Sequence, residues 1–285
     1  MSVGEYVFLN GEFLPAEEAK VSPFDRGFLF AHAAYEVTAV YNGKLVDMPG
    51  HMDRLARTLD GIEIPMPASA EDLTDLHVEL MERNSLEEGL IYLQVTAGDY
   101  GFRDFYGPET LTPNIFLFSS AKKLLELPEA KTGAKVILLQ DTRWRRRDFK
   151  TTQLLSQSLA YRAARRAGAF TAWMVEDGEI TEAASANAWI VKDGRAITRP
   201  LNWQILPGIT RDSVINELNA AGISLEERAF TPEEAKAADE AFTTSTGAII
   251  LPIIQIDDTP IGSGTPGPLT RRIQSLYARH LGAEV

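Results

Sequence analysis

The chain of 285 residues contains no cysteine. Disulfides, thiol nucleophiles and cysteine-ligated metals are therefore excluded. Histidine is scarce, and His32, His51, His77 and His280 show no metal-ligand spacing. Basic residues are outnumbered, 28 to 40, for a net charge of −12. That balance argues against a general nucleic-acid or anionic-membrane surface, while leaving room for a local basic pocket. No apolar run approaches the roughly 18 residues of a membrane span. The opening MSVGEYVFLNG lacks a basic stretch followed by a long apolar core, so no signal peptide is expected and the cytoplasm is the expected location. G-x-S-x-G, Walker and dinucleotide fingerprints are missing, which removes the main supports for conventional hydrolase, nucleotidase and dehydrogenase readings.

What is present reads as a two-domain α+β chain with mixed α/β character. The expected bounds are a small domain over 1–120, a linker over 121–131 and a larger domain over 132–285. Two apolar runs flank Asn10-Gly11 and predict a hairpin over 5–14. A long strand follows, with Tyr35, Val37, Ala39 and Tyr41 on one face and Glu36, Thr38 and Val40 on the other. HMDRLARTL (51–59) predicts a helix with Leu55 and Leu59 facing the core and Arg54 beside them. After a second helix and the strand LIYLQVT comes a Gly-rich aromatic loop, AGDYGFRDFYGPET (97–110). In the second half, strands alternate with helices expected over 152–167, 210–221, 231–237 and 267–281. Neither internal repeats nor low-complexity segments occur.

The chemistry centres on DTRWRRRDFKTTQLLS (141–156). Lys150 stands where a predicted strand, AKVILL, hands over to a helix with Thr151-Thr152 as possible caps and Leu154, Leu155 and Leu159 as its apolar stripe. Scaffolding of that kind can turn a lysine into a nucleophile. Arg143, Arg145, Arg146 and Arg147 crowd its approach, and like charges would favour the neutral amine. The plainer reading pairs at least two of these arginines with carboxylates. PGITRDSVINEL (207–218) offers helix-start amides that can hold a phosphate, as does the TTSTG turn (243–247), and Arg54 could complete the cup. Within EITEAASANAWIV (179–191), Glu182 could keep a heteroaromatic nitrogen protonated, although an exposed turn glutamate is the plainer reading.

Taken together and in order, the early YEV and HMDRL, the lysine after W-x-x-x-D-x, T-E-x-x-S-x-N, G-I-T-R-D and T-S-T resemble the fold-type-IV pyridoxal-phosphate enzymes. The likeness runs from the first hairpin to the last helix. It implies pyridoxal 5'-phosphate as cofactor and a homodimer whose partner contributes the 97–110 loop. Lys150 matches the Schiff-base lysine and proton shuttle, and Glu182 the partner of the ring nitrogen. Arg54, Ile209, Thr210 and Thr246 match the phosphate contacts, Leu206 a residue on the ring face, and Tyr35 an active-site tyrosine near lysine and substrate.

Within that family YEV and IYLQVT look most like the D-amino-acid transaminases, and AAYEV differs from the phenylalanine-glutamate-glycine run of the branched-chain enzymes. The resemblance implies ping-pong transfer from a D-amino acid, such as D-alanine or D-glutamate, to a 2-oxo acid such as 2-oxoglutarate or pyruvate. Two positions depart from the pattern. Phe105 stands where a histidine is usual, and VTAG replaces VTRG. Arg103 is then the candidate for the substrate carboxylate, with Arg26 or one of Arg143 to Arg147 as substitutes. An (R)-amine transaminase, a branched-chain L-amino-acid transaminase and an aminodeoxychorismate lyase remain alternatives on the same scaffold.

Overall fold

The computed structural model describes residues 2–283. By packing, the chain divides into two units. One holds the residues up to Lys123 together with Phe149–Gln153, and the other holds Leu124–Asp148 and everything from Leu154 onward. The sequence pattern places 149–153 in the larger domain. The five-residue return joins the N-terminal unit because its backbone pairs with the first sheet.

The N-terminal unit runs β1 (Ser2–Leu9), β2 (Glu12–Pro15), α1 (Arg26–Phe30), β3 (Ala33–Tyr41), β4 (Lys44–Leu45), α2 (Met48–Gly61), α3 (Ala70–Arg83), β5 (Gly89–Thr96) and β6 (Asn114–Ala121). Its six strands form one antiparallel sheet in the order β2-β1-β6-β5-β3-β4. Helix α2 buries Met48, His51, Met52, Arg54, Leu55, Thr58 and Leu59, the i, i+3, i+4 stripe of an amphipathic helix. Leu55, Leu59, Leu73 and Leu80 are fully buried in the core with Ile91, Leu93 and Leu117, each contributing about 1.5–3 kcal/mol of hydrophobic burial. Ser69 and Asp72 close a reciprocal capping box at the start of α3. Rings of Tyr35, Tyr92 and Phe118 stack across β3, β5 and β6 at 5.5 and 4.9 Å.

The C-terminal unit runs α4 (Pro128–Thr132), β7 (Ala134–Gln140), α5 (Leu155–Arg166), β8 (Thr171–Glu176), β9 (Glu179–Ala183), β10 (Asn187–Lys192), β11 (Arg195–Thr198), α6 (Ile209–Ala220), β12 (Leu225–Glu227), α7 (Pro232–Lys236), β13 (Glu240–Ser245), β14 (Ile249–Ile256), β15 (Thr259–Pro260) and α8 (Pro268–His280). The mixed sheet is ordered β12-β11-β10-β13-β14-β7-β8-β9, with β15 on β14. Trp173, Ile190, Phe230 and Ile253 are among its buried side chains. Helix α4 occupies part of the expected linker.

Helix α5 corrects the sequence reading twice. It starts at Leu155 with no side-chain cap, because Thr151 instead bridges Ala34 and the Thr152 amide donates to the Ala33 carbonyl at 3.1 Å. Its buried face is Ala160 and Ala164, while Leu155 and Leu159 are 74% and 53% exposed. Among the described residues no helix is long and apolar enough to cross a membrane.

Candidate active site

In the N-terminal unit, Lys150 is held by its backbone. Its amide donates to Thr58 Oγ1 at 3.2 Å, and its carbonyl accepts from the Tyr35 amide at 3.0 Å. The preceding Phe149 is buried against Gly61 at the end of α2, where a Cβ would lie 2.0 Å from the ring. Only glycine leaves room for that ring, so Gly61 helps to fix the approach to the lysine. Lys150 Nζ stands 4.1 Å from the centroid of the Tyr35 ring, a cation–π distance. Lys150 and Tyr35 are thus brought together, as the family resemblance implies.

The expectation that Arg143 to Arg147 press on Lys150 is not supported. Arg143 binds Asp141 and Glu182, Arg146 binds Asp148, and Arg147 binds Glu176 and lies 3.4 Å from Asp141. Arg145 stacks 5.1 Å from the Trp203 ring. These residues belong by packing to the C-terminal unit, and Lys150 to the other.

Arg54 is buried one residue before Leu55. Its Nε and Nη2 make a two-pronged pair with Glu36 at 2.8 and 2.7 Å, and His51 Nδ1 lies 2.7 Å from the same carboxylate. Burial would raise the Glu36 carboxyl, but Arg54 and His51 outweigh it and hold that group far below the usual glutamate range. The sequence reading gave Glu36 no role. The available signal was a lone carboxylate on the same strand face as Thr38 and Val40, both fully buried.

In the C-terminal unit, Glu182 lies in β9 and is 4% exposed, not on an exposed turn. Arg143 Nη1 donates to its Oε1, while Asn187 Nδ2 and the Leu206 amide donate to Oε2 at 3.0 and 3.2 Å. Burial pushes the Glu182 carboxyl up, and the Arg143 guanidinium opposes that rise. Asn187 Nδ2 also donates to the Leu206 carbonyl at 2.9 Å. A Cβ on Gly208 would sit 2.0 Å from Asn187 Oδ1. Asn187 therefore joins the Glu182 carboxylate to the start of α6, a function that sequence reading missed although its motif was visible.

Helix α6 begins after Gly208 with no side-chain cap. The first amides of any helix, here those of Ile209 and Thr210, have no partner within the helix and carry its positive dipole end. Thr246 lies in the turn between β13 and β14, and Ile249 closes that turn at φ 56, a costly conformation for a β-branched residue. Strain of this sort persists where surrounding structure holds a loop in one shape.

The loop after β5 holds Arg103, which is exposed and stacks on Phe30 and Phe105 at 5.1 and 4.7 Å. Arg26 is buried, and its guanidinium donates to the Asp104 and Phe105 carbonyls at 2.7 and 3.2 Å and to the Tyr100 hydroxyl at 3.0 Å. Its donors brace the loop, which makes Arg26 a poor substitute for a substrate ligand.

The family model for amino-transferase class IV matches residues 33–256. The chain is a class IV aminotransferase. Full-length relatives include the D-alanine aminotransferases of Staphylococcus aureus strain N315, 35% identical over 97% of this chain and 98% of theirs, and of Bacillus licheniformis, 36% identical over 98% of both. Among solved structures, the branched-chain amino acid aminotransferase of Escherichia coli is similar with a TM-score of 0.92 and 26% identity, covering 99% of this chain and 96% of that one. The branched-chain aminotransferase of Thermoproteus uzoniensis with norvaline gives 0.87 and 30%, covering 99% and 96%.

The cofactor of this aminotransferase is pyridoxal 5'-phosphate, and the residues present fit it. A fixed lysine offers an amine, an uncapped helix start offers amides to a phosphate, and a buried carboxylate offers a partner to a protonated ring nitrogen.

Proposed function

We propose that this aminotransferase moves the amino group of D-amino acids, such as D-alanine or D-glutamate, onto 2-oxo acids such as 2-oxoglutarate or pyruvate. The observation that carries this reading is the end-to-end identity of about 35% to D-alanine aminotransferases. The bound cofactor supplies a carbonyl for the amino group and a ring that accepts electrons from the substrate Cα. With the cofactor bound, the Lys150 amine would take the proton from the substrate Cα and, as the protonated lysine, give it back to the cofactor carbon that carries the amino group, steadied by the Tyr35 ring. Glu182 holds the proton on the ring nitrogen. Arg54, the Ile209 and Thr210 amides and Thr246 would hold the phosphate, and Leu206 would pack on the ring. Arg103 receives the substrate carboxylate.

We further propose a cytoplasmic enzyme and a homodimer, and the exposed aromatics Phe28, Phe102, Phe105 and Tyr106 at 75, 59, 74 and 82% support the second of these. Sedimentation at catalytic concentrations tests the dimer.

The decisive experiment titrates the cofactor-loaded protein separately with D-alanine, L-glutamate and (R)-phenylethylamine while following its visible absorption band. Rapid bleaching by D-alanine is expected. Bleaching by L-glutamate alone would favour a branched-chain reading, which the 0.92 TM-score to the Escherichia coli enzyme makes the second choice. Bleaching by the (R)-amine alone would make it an amine transaminase. Lys150→Ala should lose the lysine adduct in peptide maps after borohydride reduction and lower turnover by about 10⁴-fold or more.

A further inference from the structure

We infer that Arg143 is a positioning residue that keeps Glu182 ionised, so that the site is charge-matched to a protonated ring nitrogen. The inference rests on the cofactor reading above. Its ground is a charge cluster with unequal counts, buried except at Glu176, which is half-buried. Arg143 and Arg147 supply two positive charges, and Asp141, Glu176 and Glu182 supply three negative ones. Arg199, the next guanidinium along, is matched by Glu179 and reaches Glu176 only through Gln204. The cluster therefore carries one carboxylate in excess.

The hydrogen bonds show which carboxylate that is. Asp141 receives Arg143 Nε and Nη2 at 3.0 and 2.7 Å and the Thr181 hydroxyl at 2.7 Å. These contacts outweigh burial and hold Asp141 below the usual range. Arg143 thus gives most of its fork to Asp141 and a single arm, Nη1, to Glu182 Oε1. Oε2 of Glu182 already takes two donors, from Asn187 and Leu206. An ionised carboxylate oxygen accepts two hydrogen bonds, so Oε1 keeps capacity for one more donor. A ring N–H⁺ supplies both that donor and the missing positive charge. Without Arg143, a carboxyl buried this deeply would take up a proton and could no longer stabilise a cation. Asp141 in turn orients the guanidinium, since its two-pronged contact sets the plane in which Nη1 reaches Glu182.

The test compares two rings. Apoprotein of the wild type and of Arg143→Met, Arg143→Gln and Arg143→Lys is titrated with pyridoxal 5'-phosphate and with its 1-deaza analogue, in which a neutral C–H replaces the ring nitrogen and offers neither a positive charge nor a hydrogen-bond donor. The wild type is expected to prefer pyridoxal phosphate by about 30-fold or more, the scale of leaving a buried charge unpaired. The methionine and glutamine variants should narrow that preference to a few-fold, and lysine should restore most of it. A purely structural role would weaken both rings alike. In infrared difference spectra at neutral pH, the uncharged variants should show a protonated-carboxyl band that Glu182→Gln removes. An unchanged preference in the uncharged variants, equal loss for both rings, or failure of lysine to rescue would overturn the role of Arg143 alone. A wild type that does not distinguish the rings would overturn the placement of Glu182 at the ring nitrogen. If one uncharged variant fails to fold, the other carries the same comparison.

Discussion

Two buried charge clusters, one in each unit, solve opposite problems. Around Glu36, one carboxylate is answered by the Arg54 guanidinium and makes a further contact with His51 Nδ1. Around Glu182, one guanidinium is divided between two carboxylates, and one negative charge is left over. The first cluster holds its carboxyl far down, and in the second the carboxyl of Glu182 is pushed up. Burial acts in the same direction on both glutamates. What differs is the ratio of cations to anions and how the guanidinium donors are shared. The first arrangement fastens a guanidinium in one orientation. The second suits a cation brought to Glu182. A buried carboxylate is therefore either a fastening or a binding group, and the count of its partners decides which.

Breaking the first cluster should have the largest effect on stability. Glu36→Gln leaves Arg54 buried with a neutral partner, and a loss of about 3–5 kcal/mol is expected in denaturant unfolding. Because the folded carboxyl lies below its unfolded value, its contribution is present above the ordinary glutamate range and fades as the pH falls through that range and below. The gap between wild type and Glu36→Gln should accordingly shrink on acidification, and a gap that widened would contradict the assignment.

Gly208→Ala should come next. The new Cβ meets Asn187 Oδ1, so the amide that joins Glu182 to α6 must shift. About 1–3 kcal/mol of stability is expected to go, with weaker cofactor binding measured by equilibrium titration.

Glu182→Gln should separate the clusters most clearly. Its folded carboxyl lies above the unfolded value, so a stability contribution present at low pH is lost as the pH rises through the folded value. Removing the charge should leave the cofactor-free protein within about 1 kcal/mol of wild type at neutral pH, or slightly more stable, while cofactor affinity falls. A loss as large as that of Glu36→Gln would erase the distinction.

Arg103→Ala should be the smallest, within about 0.5 kcal/mol in unfolding, because the side chain is exposed. Its effect should fall on the Michaelis constants for D-amino acids. Unchanged constants would remove Arg103 from the substrate site.

Much of this molecule was legible from local pattern. The Asn10-Gly11 pair set the first hairpin, and the leucine spacing of α2 put Leu55 and Leu59 in the core with Arg54 beside them. The small-residue run around Glu182 and the glycine before α6 marked a carboxylate and an uncapped helix start. Each signal is confined to a few adjacent residues, where backbone period and side-chain size act directly. Helix α5 escaped, because its leucines matched a helical stripe while the actual burial falls on Ala160 and Ala164. Periodicity names a face but does not say which face finds a neighbour.

Chain order and residue type determined which chemistries this protein carries: a lysine at a strand-to-helix handover, a carboxylate among small residues, no thiol and no nucleotide loop. Only the tertiary structure decided how the charges are paired. Arg143 is 39 residues from Glu182, and Arg54 is 18 from Glu36. No local propensity acts over such separations. Packing brings those groups together away from water, and there each must find a partner or change its charge.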